Sequence, residues 1–264
     1  MKKTYAALIT GASSGIGKEL TRIHASYGGD CIIVGRNIKE LNKLKKDLEA
    51  LYSVDIVVIK QDLLKPNAAK TIIDKVKKSK LKIDLLINCA GSGGLGQFHE
   101  RSIDDELNMI NLNIKFLTEI THQVLECMTS RNEGQILNVA SSAALVPGPK
   151  QAVYFASKAY VRSFSLALSK ELEDYNIQVS CLLPGSTDTK FASNANLEKT
   201  NLFSNPASVY KVALDAYNGL QKGKLEIYSG VPLKDRISFK FLSMAPHKIV
   251  LNQVSKLHED TNKE

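Results

Sequence analysis

The stretch Thr4-Tyr5-Ala6-Ala7-Leu8-Ile9-Thr10-Gly11-Ala12-Ser13-Ser14-Gly15-Ile16-Gly17 decides the fold. Its first seven residues make a short, mostly apolar run without polar alternation, which reads as a strand covered on both faces. Glycines at 11, 15 and 17 follow at once and open a helical pattern over 16–27. Glycine lets the backbone approach a diphosphate, and a helix start offers free N–H groups and the positive end of its dipole. A glycine turn alone is a weak signal; its place directly behind the first strand strengthens it.

Outward from this turn the same alternation continues. Further strand patterns fall at 31–35, 55–59, 84–89, 135–140, 178–183 and 225–228, and helical ones at 38–51, 67–78, 103–129, 152–175 and 207–220. Strand, helix and strand repeated in this way require right-handed crossovers and a parallel sheet with helices on both faces. The expectation is a single-domain, doubly wound α/β fold of the Rossmann type over 1–230. No linker or repeat divides the chain. The polar segment 186–205, punctuated by Phe191, Leu197, Leu202 and Phe203, reads as a cover over a site, and 231–264 as a helical extension of the same domain.

Composition removes several classes. With 44% hydrophobic and 23% charged residues, the chain is neither disordered nor fibrous. Cys31, Cys89, Cys127 and Cys181 form no CxxC pair and the five histidines are scattered, so no metal site is expected and the thiols suit a reducing cytoplasm. No apolar run approaches the roughly 20 residues of a membrane span. The net charge of +8 arises mainly between Arg36 and Lys82, where 13 Lys/Arg face 6 Asp/Glu. Those lysines sit in helical patterns without interleaved aromatics, so they read as a solvated face and nucleic acid is not an expected partner. In the tail, Phe239, Phe241, Leu242 and Met244 among Lys234, Arg236, Lys240 and Lys248 could touch an anionic membrane weakly through 234–248, or close a pocket or subunit interface instead.

Two other loop chemistries fit poorly. A phosphate-binding P-loop needs Gly-x4-Gly-Lys-Ser/Thr, whereas Gly11 to Gly17 is one residue too long and Glu19 follows Lys18. The hydrolase elbow Gly-x-Ser-x-Gly matches literally at 11–15, but no downstream histidine sits in a recognisable loop after a late strand. A serine hydrolase thus stays a remote alternative.

Further motifs follow the glycine turn in order: Asn88-Cys89-Ala90-Gly91 at the fourth strand end, Asn111 in Ile110-Asn111-Leu112, Ser141 behind the fifth strand, Tyr154-Phe155-Ala156-Ser157-Lys158, then Pro184-Gly185 and Thr189 behind the sixth. In this order they resemble the short-chain dehydrogenase/reductase family, with its TGxxxGxG, NNAG, YxxxK and PG motifs. Cys89 departs from the pattern by standing where a second Asn is usual. The resemblance implies an oxidoreductase that moves hydride between a nicotinamide dinucleotide and a carbonyl or alcohol, usually as a homodimer or homotetramer. It implies catalytic roles for Asn111, Ser141, Tyr154 and Lys158. Ser141 is preferred to Ser142 because it lies thirteen residues before Tyr154, the family spacing. It also implies dinucleotide contacts from Gly11, Ser13, Ser14, Gly15, Ile16, Gly17, Asn88, Ala90, Gly91, Tyr154, Lys158, Pro184, Gly185, Thr187 and Thr189.

The residue types suit that chemistry independently. Reducing a ketone needs a proton donor beside its oxygen, and tyrosine's unperturbed pKa near 10 is high for the task. Lys158 lies four residues from Tyr154 on one helix face, where its charge would favour phenolate. Ser141 can hydrogen-bond the reacting oxygen, and by resemblance Asn111 holds a water that links Lys158 to solvent. At the second strand end the chain reads Gly35-Arg36-Asn37, without the carboxylate that favours NAD. Arg36 suits a 2′-phosphate, Ser13 and Asn37 can add neutral bonds, and Asp62 with Leu63 should hold the adenine, so NADP(H) is expected over NAD(H). Val146, Pro147 and Pro149 with the cover residues suggest an apolar or acyl-chain carbonyl substrate. A non-catalytic dinucleotide-binding regulator is the alternative, against which all four catalytic residue types are present.

Overall fold

The computed structural model describes residues 5–79, 81–232 and 246–259. Seven strands form one parallel sheet: β1 (Tyr5–Thr10), β2 (Asp30–Gly35), β3 (Ile56–Lys60), β4 (Lys82–Asn88), β5 (Gly134–Val139), β6 (Ile177–Pro184) and β7 (Glu226–Ser229). Their order is β3-β2-β1-β4-β5-β6-β7, so the winding direction reverses between β1 and β4. Connections leave those two strand ends in opposite directions, which opens a crevice there. The α/β doubly wound fold expected from the sequence is the one observed.

The helices are α1 (Gly15–Ser26), α2 (Ile38–Leu51), α3 (Ala68–Ser79), α4 (Ile103–Ile110), α5 (Leu117–Arg131), α6 (Ala152–Glu171), the single turn α7 (Phe191–Asn194), α8 (Val209–Gln221) and α9 (His247–Leu257). Successive strand residues point to opposite faces. Ala7, Ile9, Cys31, Ile33, Leu85 and Ile87 pack with Leu20, Leu41, Leu44 and Ala216 from α1, α2 and α8. Ala6, Leu8, Ile32, Val34 and Leu86 pack with Ile72, Ile120, Val124 and Leu168 from α3, α5 and α6. Both faces are therefore covered, which is why the strands lack polar alternation.

The pattern over 103–129 predicts one helix, and the structure corrects this. Asn111–Phe116 form a π-helical segment between α4 and α5. The pattern over 152–175 likewise ends as α6 at Glu171, followed by a 3-10 turn at Glu173–Tyr175. The residues read as a membrane-touching patch, from Lys234 to Met244, lie outside the described residues; Lys248 belongs to α9. Among the described residues no helix is long and apolar enough to cross a membrane.

One polar chain runs through the buried centre. Asn88 Nδ2 donates to Thr121 Oγ1 at 2.9 Å and to Asn138 Oδ1 at 2.9 Å. Asn138 Nδ2 donates to Ser165 Oγ at 2.9 Å, and Ser165 donates to the Val161 carbonyl at 2.7 Å. β4 and β5 are thereby pinned to α5 and α6 just below the crevice. Asn88, which the sequence assigns to the dinucleotide, is 3% exposed; its Nδ2 is committed to this network, while its Oδ1 has no hydrogen-bond partner among the described residues. Removing one member strands its partners away from water at a cost of about 1–3 kcal/mol. Asn138→Ala should lower unfolding stability by at least that much in urea titration, and an unchanged midpoint would refute the network's structural role.

Candidate active site

Thr10, the last residue of β1, begins the site. Its hydroxyl donates to the Ile87 carbonyl at 3.4 Å and accepts from the N–H of Cys89 at 3.1 Å and of Ala90 at 3.2 Å. Held this way, β1 and β4 approach so closely that a Cβ on Gly11 would lie 3.0 Å from the Ala90 backbone. Gly11 also needs its left-handed φ of 70° to turn into α1. A Cβ on Gly17 would meet the Gly11 carbonyl oxygen at 2.6 Å, so this glycine lets α1 pack on its own turn. It does not line the cleft, contrary to the contact expected of it. The N-cap Ser14 makes no side-chain cap bond, and the first turn of α1 carries no acidic residue. That leaves uncompensated N–H groups and positive dipole facing the crevice, which suits a diphosphate.

A cleft of 740 Å³ runs from this turn across the strand ends to α9. Gly11, Ser13, Ser14, Gly15, Ile16, Arg36, Asp62, Leu63, Ala90, Gly91, Ser141, Tyr154, Lys158, Pro184, Gly185, Thr187 and Thr189 all line it, as the sequence predicts. Arg36 is exposed at its rim and makes no hydrogen bond or ion pair with any described residue. Asp62 Oδ1 accepts from the Leu64 N–H at 3.1 Å. Asn37 does not line the cleft; its Oδ1 accepts from Glu40 N–H at 3.3 Å and caps α2. Cys89 lines the cleft floor, where burial pushes its thiol up to about 12, so the departure from the family motif leaves an uncharged, unreactive group.

Ser141, Tyr154 and Lys158 converge at the centre. Tyr154 is 8% and Lys158 6% exposed. Lys158 Nζ donates to the Val139 carbonyl at 2.9 Å and lies 5.9 Å from the Tyr154 ring centroid. Burial pushes Tyr154 up to about 12, only partly opposed by a hydrogen bond with Ser141. Burial also lowers Lys158 to about 8. Burial thus outweighs the Ser141 hydrogen bond at the phenol, opposite in direction to the lowering expected from the sequence.

The asparagine also needs correction. Asn111 is exposed and outside the cleft. Asn113 is 1% exposed, its Oδ1 accepting from Ser92 N–H at 3.0 Å and its Nδ2 donating to the Ser92 carbonyl at 2.9 Å and to Ser157 Oγ at 3.0 Å. A Cβ on Gly91 would lie 3.3 Å from Asn113 Oδ1 and 3.4 Å from Lys158 Nζ, so both polar heads meet over this glycine. Spacing did not distinguish the two asparagines, because the π-helical segment changes the phase of the helix.

The far end of the cleft is apolar. Val146, Phe155, Phe191, Leu197, Leu202 and Phe203 line it with Val254 and Leu257 of α9. Pro147 and Pro149, expected there, do not. Residues missed by sequence reading include His258, set edge-on to Phe155 with ring centroids 5.6 Å apart, and Arg101. Gln151 is 3% exposed and its Nε2 has no hydrogen-bond partner among the described residues.

Comparison with known proteins agrees with this geometry. The short chain dehydrogenase family model matches residues 5–200. The chain is 34% identical over 200 residues to 17-beta-hydroxysteroid dehydrogenase type 3 of Mus musculus, covering 74% of this chain and 64% of that protein. It is 34% identical over 187 residues to the NADP-dependent 3-hydroxy acid dehydrogenase of Schizosaccharomyces pombe, covering 70% and 72%. The structure of a short-chain dehydrogenase from Sphingobium yanoikuyae in complex with NADPH superposes with a TM-score of 0.82 at 26% identity, covering 90% of this chain and 93% of that one. The chain belongs to the short-chain dehydrogenase/reductase family, oxidoreductases that interconvert CH–OH and C=O groups with a nicotinamide dinucleotide.

Proposed function

We propose that this protein is an NADP(H)-dependent reductase or dehydrogenase of carbonyl and alcohol substrates in which Tyr154 is the general acid and base. The observation that carries this reading is the convergence of Ser141, Tyr154 and Lys158 at the centre of a dinucleotide-sized cleft, with Asn113 buried behind Gly91. The glycine turn before α1 and Arg36 would hold NADPH, which would supply the hydride for the carbonyl carbon. Tyr154, held as neutral phenol by burial, gives its proton to the carbonyl oxygen, and Ser141 hydrogen-bonds that oxygen as negative charge grows. Lys158 keeps a positive charge beneath the phenol and stabilises the phenolate left behind. Asn113 takes the place first assigned to Asn111: its carbonyl oxygen beside Lys158 can hold a water for proton return. The free thiols are consistent with a cytoplasmic setting, and the exposed stripe of Ile103, Leu107 and Ile110 on α4 suits self-association.

Arg36 carries the preference for NADP(H). Its guanidinium is uncommitted at the rim, and a charge-assisted bond to a 2′-phosphate contributes about 1.5–3 kcal/mol, or roughly 10- to 100-fold. NADP-dependent relatives support the same preference. The apolar far end favours substrates with an apolar body.

Three measurements test these assignments. Tyr154→Phe should abolish turnover while NADPH still binds with near wild-type affinity by fluorescence; retention of a tenth of the activity would show another proton donor. The reductive kcat/KM should be level near neutrality and fall above about pH 8, because the lowered Lys158 loses its proton first while Tyr154 keeps its own to about 12. A profile level through pH 10 would contradict a lysine lowered in this way. For Arg36→Ala, the NADPH/NADH ratio of kcat/KM should collapse by roughly 10- to 100-fold; an unchanged ratio would mean that another group reads the phosphate.

A further inference from the structure

Arg101 stands between a 3-10 turn (Phe98–Glu100) and the start of α4, and its side chain folds back beneath the loop Gly93-Gly94-Leu95-Gly96. Its Nε pairs with Glu106, a residue 4% exposed, and its Nη1 donates to the Leu95 carbonyl at 3.0 Å. The guanidinium occupies the space that a Cβ on Gly94 would fill, so the loop is shaped around it. Two of its three nitrogens are thereby fixed by protein. Nη2 carries no bond to any described residue, and Arg101 lines the cleft.

Its position relative to the chemistry follows from the adjoining glycine. A Cβ on Gly93 would lie 3.3 Å from Tyr154 Cδ2. Consecutive Cα atoms are about 3.8 Å apart, so the guanidinium lies within about 12 Å of the Tyr154 ring edge. A fixed, half-desolvated guanidinium with one nitrogen left over recognises an anion, and its planar donors match a carboxylate. Glu106 does not already serve as that anion at the cleft: it holds Nε from the buried side, and Glu106 itself does not line the cavity. The other acid on this rim, Asp105, is exposed.

We propose that Arg101 is a specificity-determining residue that binds a carboxylate carried by the substrate. The preferred substrates are then oxo acids and the corresponding hydroxy acids, with the apolar remainder directed toward α9. This deepens the reductase reading given above and rests on it.

The test compares 3-oxohexanoate with its methyl ester, which differ only in the charge that Arg101 would read. Wild-type kcat/KM with NADPH should favour the acid by about 10- to 100-fold. Arg101→Gln should bring the acid-to-ester ratio near one. Because Glu106 then loses its partner and the fold can suffer, Arg101→Lys is measured alongside: it keeps the charge without the planar fork, and its ratio should fall to an intermediate value. Equal losses on acid and ester in either variant, leaving the ratio unchanged, would make Arg101 a loop anchor only and overturn the proposal. So would a wild-type enzyme that prefers the ester or reduces only neutral ketones, while leaving the oxidoreductase reading intact. Absence of turnover on any carbonyl compound would remove both.

Discussion

The hydroxyl of Thr10 joins the two strand ends between which the whole site opens. Donating to β4 and accepting from two consecutive N–H groups beyond it, it draws the turn after β1 against the backbone of Ala90. At that distance a side chain on Gly11 is excluded, and the left-handed turn this glycine permits aims the start of α1 into the crevice. Gly17 lets the helix settle on the turn, and its uncapped first N–H groups face the space left by the reversal of strand order. Displace this joint and the phosphate cradle and cleft floor would move together.

Below the joint, the network from Thr121 through Asn88 and Asn138 to Ser165 fixes β4 and β5 against α5 and α6. α6 carries Tyr154 and Lys158, so a buried polar chain that does not line the cleft sets the height of both above the strand ends. Burial then gives them opposite tendencies. Water is excluded, which disfavours the charged form of each: the phenol keeps its proton and the ammonium holds its own less firmly. A tyrosine that remains neutral is a competent proton donor for reduction, whereas alcohol oxidation requires removing that proton against the desolvation cost.

The cleft has two chemically distinct ends. Toward α1 it is backbone N–H, small residues and the rim cation Arg36; toward α9 aliphatic and aromatic side chains are mixed with polar ones, among them Arg101, Lys190, His258 and the unpartnered amide of Gln151. The first end is built from contiguous motif residues. The second is assembled from the loop behind β4, the cover segment and the last helix, which are remote from one another in the chain.

That difference explains what could be read in advance. All seven strands were legible to within about two residues, because burial on both faces leaves apolar runs that the chain itself displays. Tyr154 and Lys158 were legible as a pair because four residues make one helical turn. Asn111 stands by resemblance for the family's helix asparagine, whereas the π-helical segment Asn111–Phe116 buries Asn113 instead, a change that leaves no mark in hydrophobic spacing. Asn37, Asn88 and Gly17, assigned to the ligand by sequence, do not line the cleft: Asn37 caps α2, the Asn88 Nδ2 is bound within the core, and Gly17 packs on its own turn. Local periodicity and turn chemistry thus determined the fold, the phosphate cradle and the tyrosine–lysine pair from the sequence alone. Only the tertiary structure decided which polar groups are committed to one another, that burial raises Tyr154, and that Arg101 reaches the cleft, because burial and pairing depend on atoms brought together from distant parts of the chain.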